Sequence, residues 1–182
     1  MRAVLCSRNE HKRRELERAL PDWTIELLDA DEYPPESGET FYENARGKAL
    51  FGREAGPPDA WMLGEDSGLE VEALGGKPGV ETARWAQGRH VERILDALAG
   101  IENRRACYVC ELVAVAPDGR ELRGTGTLEG RIALEAHGTA GFGFDPVFVP
   151  AGEVQTVAQL GDEWKAEHSH RARAAAALRA AL

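Results

Sequence analysis

Glu65-Asp66-Ser67-Gly68 sets two carboxylates side by side where a short apolar run, Ala60 to Leu63, gives way to small polar residues. As a tight turn at the end of a buried strand, the segment would occupy the place where open α/β sheets bind ligands. Neighbouring carboxylates there suit Mg²⁺, a hard ion that takes oxygen ligands and bridges them to phosphate. The plainer reading is an ordinary Asp-Ser-Gly turn.

Cations supply the complement. Of 22 basic residues only four are lysines, Lys12, Lys48, Lys77 and Lys165, so a lysine here marks a place for a point charge rather than a planar fork. Lys12, Arg13 and Arg14 fall in the first turn of a predicted helix, where the macrodipole disfavours cations by ~0.3–1 kcal/mol each. An anion held by free N–H groups with Ser7, Asn9 and Lys12 accounts for them. So does a solvated basic face compensated by Glu15 and Glu17. The last helix repeats the pattern: Ser169 reads as its N-cap, His170-Arg171 occupy its first turn, and Lys165 and an exposed His168 lie just before. A shared anionic or carbonyl-rich ligand fits both helix starts.

At 100° per residue from Phe41, Asn44 falls at about 300° and Lys48 at about 340°, both bordering the apolar stripe of their helix. A lysine at a core edge must be paired or line a cleft. Glu43 points away and reads as a cap. Gly141-Phe142-Gly143-Phe144-Asp145-Pro146 combines two rings with two glycines, which suits stacking on a nucleobase with Asp145 as acceptor, or packing within a turn.

The positioning elements interleave. Residues 2–6 read as a strand, Lys12–Leu20 as a helix stopped by Pro21, and Trp23–Leu28 as a strand. A helix capped by Thr40 and Glu43 runs to Gly56, followed by a strand at Ala60–Leu63 and a second in which Leu69, Val71 and Ala73 alternate. Gly75–Gly79 is a loop, Val91, Ile94, Leu95 and Leu98 share a helix face, and Ala106–Ala116 with Arg120–Ile132 form a hairpin about Pro117-Asp118-Gly119. Ser169–Leu182 is helical. The whole reads as one domain, 1–182, of α/β class with a mixed sheet.

Composition narrows the partners. The 31 acidic residues leave a formal charge of −9, which excludes a broad nucleic-acid or membrane surface but not a small anion in a local basic pocket. No apolar run approaches the ~18 residues of a membrane span and no signal peptide opens the chain, so a cytoplasmic setting is expected. Three cysteines, Cys6, Cys107 and Cys110, are too few for a disulfide framework. Cys107 and Cys110 lie three apart on a predicted strand and face opposite sides, which argues against a redox or metal pair.

In order along the chain, Ser7-Arg8-Asn9-Glu10-His11-Lys12, Glu36 to Ala49, Glu65 to Gly79, Ala83-Arg84-Trp85, Gly141 to Pro146 and Ser169-His170-Arg171 resemble the inosine triphosphate pyrophosphatase family. These enzymes hydrolyse deaminated purine triphosphates such as ITP, dITP and XTP. The resemblance implies an elongated mixed sheet with flanking helices, two lobes around a central nucleotide-binding cleft, and a homodimer. It implies Asp66 as proton acceptor and Mg²⁺ ligand, Glu36 as second metal ligand, and Lys48 as a catalytic cation. Ser7, Asn9, Lys12, Lys48 and Ser67 match the triphosphate side, and Arg8, in the same loop, is expected to bind substrate beside them. Phe142, Gly143, Phe144, Asp145, Lys165, His170 and Arg171 match the base and sugar side.

The chain departs from the family at Arg8 and His11, where glycine is usual, at Glu65, where aspartate is usual, and at Phe144, where tyrosine or tryptophan is commoner. Two alternatives stand beside the main reading: a Maf-type pyrophosphatase acting on pyrimidine or modified nucleotides, and a nucleotide-binding sensor without turnover.

Overall fold

The computed structural model describes residues 1–182. Its strands are β1 (Arg2–Leu5), β2 (Thr24–Leu27), β3 (Trp61–Val71), β4 (Arg105–Val115), β5 (Glu121–Ile132) and β6 (Phe148–Pro150). They form one mixed sheet in the order β2-β1-β3-β4-β5-β6. β1 pairs in parallel with β2 and β3, and the remaining pairings are antiparallel, as the β4–β5 hairpin requires. The helices are α1 (Glu10–Ala19), α2 (Phe41–Ala55), α3 (Thr82–Ala86), α4 (His90–Ala97), α5 (Val157–His168) and α6 (His170–Ala180).

Local signals act where the sequence places them. Thr40 and Glu43 close a reciprocal capping box on α2, and Ser169 caps α6 through Ala172 N. Asn9 caps α1, accepting from the His11 and Lys12 amides.

The largest departure concerns β3. The glycine-bounded segment Gly64–Gly68 is not a turn but the middle of one continuous eleven-residue strand. Its glycines serve close approach instead. A Cβ on Gly64 would lie 2.6 Å from Ala49 N, so α2 packs its backbone directly onto β3. Ala73, expected in a strand, falls in a 3₁₀ turn at Glu72–Leu74.

Alternation along β3 then decides the architecture. Leu63, Glu65, Ser67, Leu69 and Val71 point to one face, and Met62, Gly64 and Asp66 to the other. On the first face, a cluster containing Leu16, Leu63, Leu112 and Leu178 packs α1 and α6, and a second containing Leu69, Tyr108, Ile94 and Phe148 packs α4. Glu65 and Ser67 form the polar break between these two apolar lobes. On the second face α2 covers Met62 and Val113.

β1 ends at Leu5 beside Leu63, whereas β3 continues to Val71. From Gly64 to Gly68 the β1 side of β3 is therefore an open edge at the carboxyl ends of the parallel strands, the usual ligand position in open α/β sheets, before Thr82, Pro78 and Lys77 cover Leu69, Glu70 and Val71.

Gly64→Ala is expected to lower stability by about 1–3 kcal/mol through overpacking of α2 on β3. A lower urea midpoint with unchanged slope would show it, and an unchanged midpoint would contradict the close-approach account.

Candidate active site

The two carboxylates read as neighbours in a turn are separated by the strand. Asp66 projects toward α2 and Glu65 toward α1 and α6, so the two do not converge on one ion. This corrects the expectation of a paired Glu65–Asp66 metal site.

On the α2 side, Asp66 Oδ2 accepts from Asn44 Nδ2 at 3.1 Å and Oδ1 lies 2.9 Å from Lys48 Nζ. Lys48 also reaches Glu36 Oε1 at 2.5 Å and the Glu65 carbonyl at 3.1 Å. The helical spacing of Asn44 and Lys48 thus brings both against β3, as their place beside the apolar stripe predicts. Asn44 in turn accepts from Gly38 N at 2.8 Å, which fixes the loop that carries Glu36. Glu36, Asn44 and Lys48 border a cavity of about 360 Å³ closed by Pro34, Pro35 and Gly38.

Burial pushes the Asp66 carboxyl above its ordinary value, more than Lys48 draws it down. Burial likewise opposes the charge on Glu36 and Lys48. Here the partners prevail: Lys48 holds Glu36 low, and Asp66 with Glu36 holds Lys48 high. Two carboxylates that meet on one ammonium can meet on one metal ion. Their oxygen-only character, with room for phosphate and water oxygens, fits Mg²⁺.

On the opposite face Glu65 is fully buried. Arg171 Nη2 and Nε donate to its Oε1 at 2.8 and 3.1 Å, and Lys12 Nζ lies 2.6 Å from its Oε2. Arg171 also donates to Ser67 Oγ at 2.9 Å and to Glu15, which binds Lys165 as well. Lys165 continues to Asp145 Oδ2 at 2.7 Å. Charges therefore alternate along one buried chain: Lys12, Glu65, Arg171, Glu15, Lys165, Asp145. Burial alone would raise the Glu65 carboxyl, but Arg171 and Lys12 hold it well below the usual range.

A cavity of about 350 Å³ opens beside this chain, with Asn9, Lys12 and Ser67 at one end and Phe142, Phe144, Asp145, Lys165 and His170 around the rest. Asp145 accepts from Phe142 N at 2.8 Å and shapes the Gly141–Asp145 loop. Lys165 lies 4.8 Å from the Phe142 ring centroid. His170 stacks on Tyr108 at 4.6 Å and 9°, and burial, followed by the nearby Arg171 charge, keeps its ring neutral. Its Nδ1 is buried without a partner. The fold itself thus leaves one hydrogen bond of this ring unmade, an unusual state for a buried polar atom.

Most sequence candidates meet at these two cavities. Ser7 lines neither cavity; its hydroxyl accepts from Asn9 N and shapes the loop that leads into α1. Arg8 does not join them. Its guanidinium turns away to the Ala30 and Asp31 carbonyls and lies over the Tyr33 ring at 5.1 Å, tying the loop that leads to Glu36 to the Ser7–Asn9 loop. It therefore does not obstruct the cleft. His11 packs its ring 5.1 Å from Phe142.

Both explanations of the basic start of α1 contribute. Arg13 pairs with Glu10 and Glu17, and Arg14 with Glu10, on the outer face, while Lys12 turns inward. Glu15 is not part of that outer compensation, because it is buried against Lys165 and Arg171. Sequence reading missed Glu15 and Tyr108 as site residues. The alternation of β4 places Tyr108 on the Glu65 face, and the i, i+3 spacing of Lys12 and Glu15 places that carboxylate on the inward side of α1.

This is a mixed-sheet α/β protein whose cleft joins an acidic, metal-compatible end to a cationic cavity with aromatic walls. The Ham1 family model matches residues 3–181. A dITP/XTP pyrophosphatase from Symbiobacterium thermophilum is 43% identical over 96% of this chain and 91% of that protein. One from Deinococcus deserti is 42% identical over 98% and 88%. The Staphylococcus aureus Ham1 protein superposes with a TM-score of 0.84 at 34% identity, covering 99% of this chain and 97% of the other. A HAM1 protein from Coxiella burnetii gives 0.82 at 31%, covering 100% and 98%. The chain belongs to the Ham1 family.

Arg171→Met leaves buried Glu65 with Lys12 alone and Glu15 with Lys165 alone, and is expected to cost about 3–5 kcal/mol. Urea unfolding measures it, and a loss below about 1 kcal/mol would show that the buried chain does not depend on Arg171. His170, neutral in the fold, takes up a proton near ~6.5 when unfolded. The unfolded state then binds more protons, so stability is full above that pH and falls below it. In His170→Gln the drop in Tm between pH 7 and pH 5.5 should be smaller than in the parent.

Proposed function

We propose that this protein hydrolyses deaminated purine nucleoside triphosphates, ITP, dITP and XTP, to the monophosphate and pyrophosphate. The carrying observation is Asp66, a carboxyl raised by burial and held by Asn44 and Lys48 beside the open edge of β3. The names of the relatives support the substrate class, and the neutral, unpartnered His170 supports the base.

Triphosphate oxygens are bound by Lys12 and Lys48, aided by Asn9 and Ser67. Glu36 and Asp66 would hold Mg²⁺, which supplies charge neutralisation at phosphate oxygens and a more acidic water. Water attacks the α-phosphorus, its proton passes to Asp66, and the bond to the bridging oxygen breaks to release pyrophosphate. Lys48 stabilises charge gathering on the leaving oxygens.

Base choice follows from donors. Arg171 commits four of its five N–H groups to Glu65, Glu15 and Ser67, leaving one, and the neutral His170 ring, which lines the same cavity, can supply another. A 6-oxo group accepts from both, whereas the amino group of adenine would leave them unpaired. Assembly as a homodimer in the cytoplasm belongs to the same proposal, supported by the family resemblance and by three free cysteines, which fit a reducing compartment.

The test is turnover of ITP, XTP, dITP, GTP, ATP, UTP and dTTP with Mg²⁺, separating pyrophosphate from orthophosphate. Pyrophosphate from the deaminated purines is expected, and orthophosphate as the direct product would refute attack at the α-phosphorus. Asp66→Asn should lower kcat about 10²–10⁴-fold. Because Asp66 must be ionised to accept a proton, activity should fall with acid as its carboxylate is protonated. An unchanged acid limb in the variant would remove Asp66 as the base.

A further inference from the structure

The base cavity has a second side that the proposed reaction leaves without a task. Lys165, His170 and Arg171 stand on the α5–α6 side, and Thr82, Ala83, Gly88 and His90 on the α3–α4 side. Of these four, only two have polar side chains. Thr82 is committed, donating to the Gly79 carbonyl at 2.7 Å and accepting from Leu69 N at 3.0 Å. His90 is not. Its ring packs edge-on against Phe144 with centroids 5.0 Å apart, beside the Gly88 backbone, which favours a proton on the facing ring nitrogen. A Cβ on Gly143 would come within 3.8 Å of its Cδ2, so His90 sits directly beneath the aromatic loop.

We propose that His90 is a specificity-determining residue that hydrogen-bonds the C2–N3 edge of the purine and favours xanthine over hypoxanthine. This rests on the reading of the cavity as a purine site. With the 6-oxo group at His170 and Arg171, the ring atoms across from C6 face the α3–α4 side. There hypoxanthine offers a C–H and a bare N3 lone pair. Xanthine offers a second carbonyl and an acidic N3–H.

A neutral imidazole has one donor and one acceptor nitrogen. With its proton on the nitrogen facing Gly88, the other nitrogen is an acceptor that meets the N3–H of xanthine and the lone pair of hypoxanthine. If xanthine ionises, the shared proton resides on the imidazole instead, and the pair keeps its hydrogen bond. Burial, which lowers the affinity of His90 for a proton, favours the neutral starting form. The 2-amino group of guanine would satisfy the same acceptor, so His90 separates xanthine from hypoxanthine but not xanthine from guanine.

The test compares the parent protein with His90→Ala and His90→Phe. Calorimetry gives Kd for the monophosphates XMP and IMP, and turnover gives kcat/KM for XTP and ITP. Phenylalanine keeps the edge contact with Phe144 and removes the hydrogen bond. The parent should prefer XMP, and both variants should lose about 5–10-fold of that preference, as one net hydrogen bond predicts, with IMP affinity changed less than about twofold. An unchanged ratio in His90→Phe, equal losses on both bases, or no XMP preference in the parent would overturn the proposal. Failure of the parent to release pyrophosphate from either triphosphate would instead refute the proposed reaction, while the XMP-to-IMP ratio would still report on His90.

Discussion

Glu65 and Asp66 are consecutive residues on a strand, and a strand sends consecutive side chains to opposite faces. The arrangement of the site depends on that constraint. One carboxylate is drawn among the cations of α1 and α6, and the other is held by α2. The two halves of the cleft are thereby fixed to the same peptide unit. Glu65 is the more demanding of the pair, because a fully buried carboxylate is stable only with its partners in place. Arg171 and Lys12 supply them, so α6 and α1 cannot shift independently of β3.

Such a buried chain of charges is seldom the most stable filling for its volume, since apolar residues of similar size often do as well or better. Its merit lies in orientation. Each cation is gripped by carboxylates before a ligand arrives, so its donors need little reorganisation when one binds. Three positive and three negative members also cancel formally, leaving the acidic surplus of −9 outside the cationic cavity. Acidity of the whole chain and a pocket for a small anion are therefore compatible.

Much of this was legible from local rules. Capping boxes, the β4–β5 hairpin and the N-cap of α6 depend on residues a few positions apart, and each forms where its pattern stands. The three lysines that differ in setting from the arginines, Lys12, Lys48 and Lys165, all enter the site. Local rules failed at Gly64-Glu65-Asp66-Ser67-Gly68, whose composition imitates a turn. Gly64 is small because α2 lies against it, a reason that exists only in the folded molecule. Arg8 and Glu15 escaped for the same cause: their roles are set by Tyr33 and Arg171, distant in sequence. α5 went unread although Thr156 and Gln159 form a capping box, because Gly161, at φ 83°, interrupts its helical pattern.

The open edge of β3 has a further consequence for selectivity. Lys48, Glu36 and Asp66 stand on one face of the sheet, and Lys12 and the aromatic cavity on the other. A ligand reaches both only by passing along the edge between Gly64 and Gly68, where β1 no longer pairs. Under the proposed reaction, a free base would fill the aromatic cavity without approaching Asp66, and a bare polyphosphate would engage the lysines without touching His170. Neither places a phosphorus atom by Asp66 with its other end anchored. Under the proposed reaction, binding energy from the base is thus spent on positioning a phosphorus that the base does not touch, which raises turnover and not affinity alone. The strand that separates Glu65 from Asp66 makes recognition of the base and hydrolysis of the phosphate interdependent.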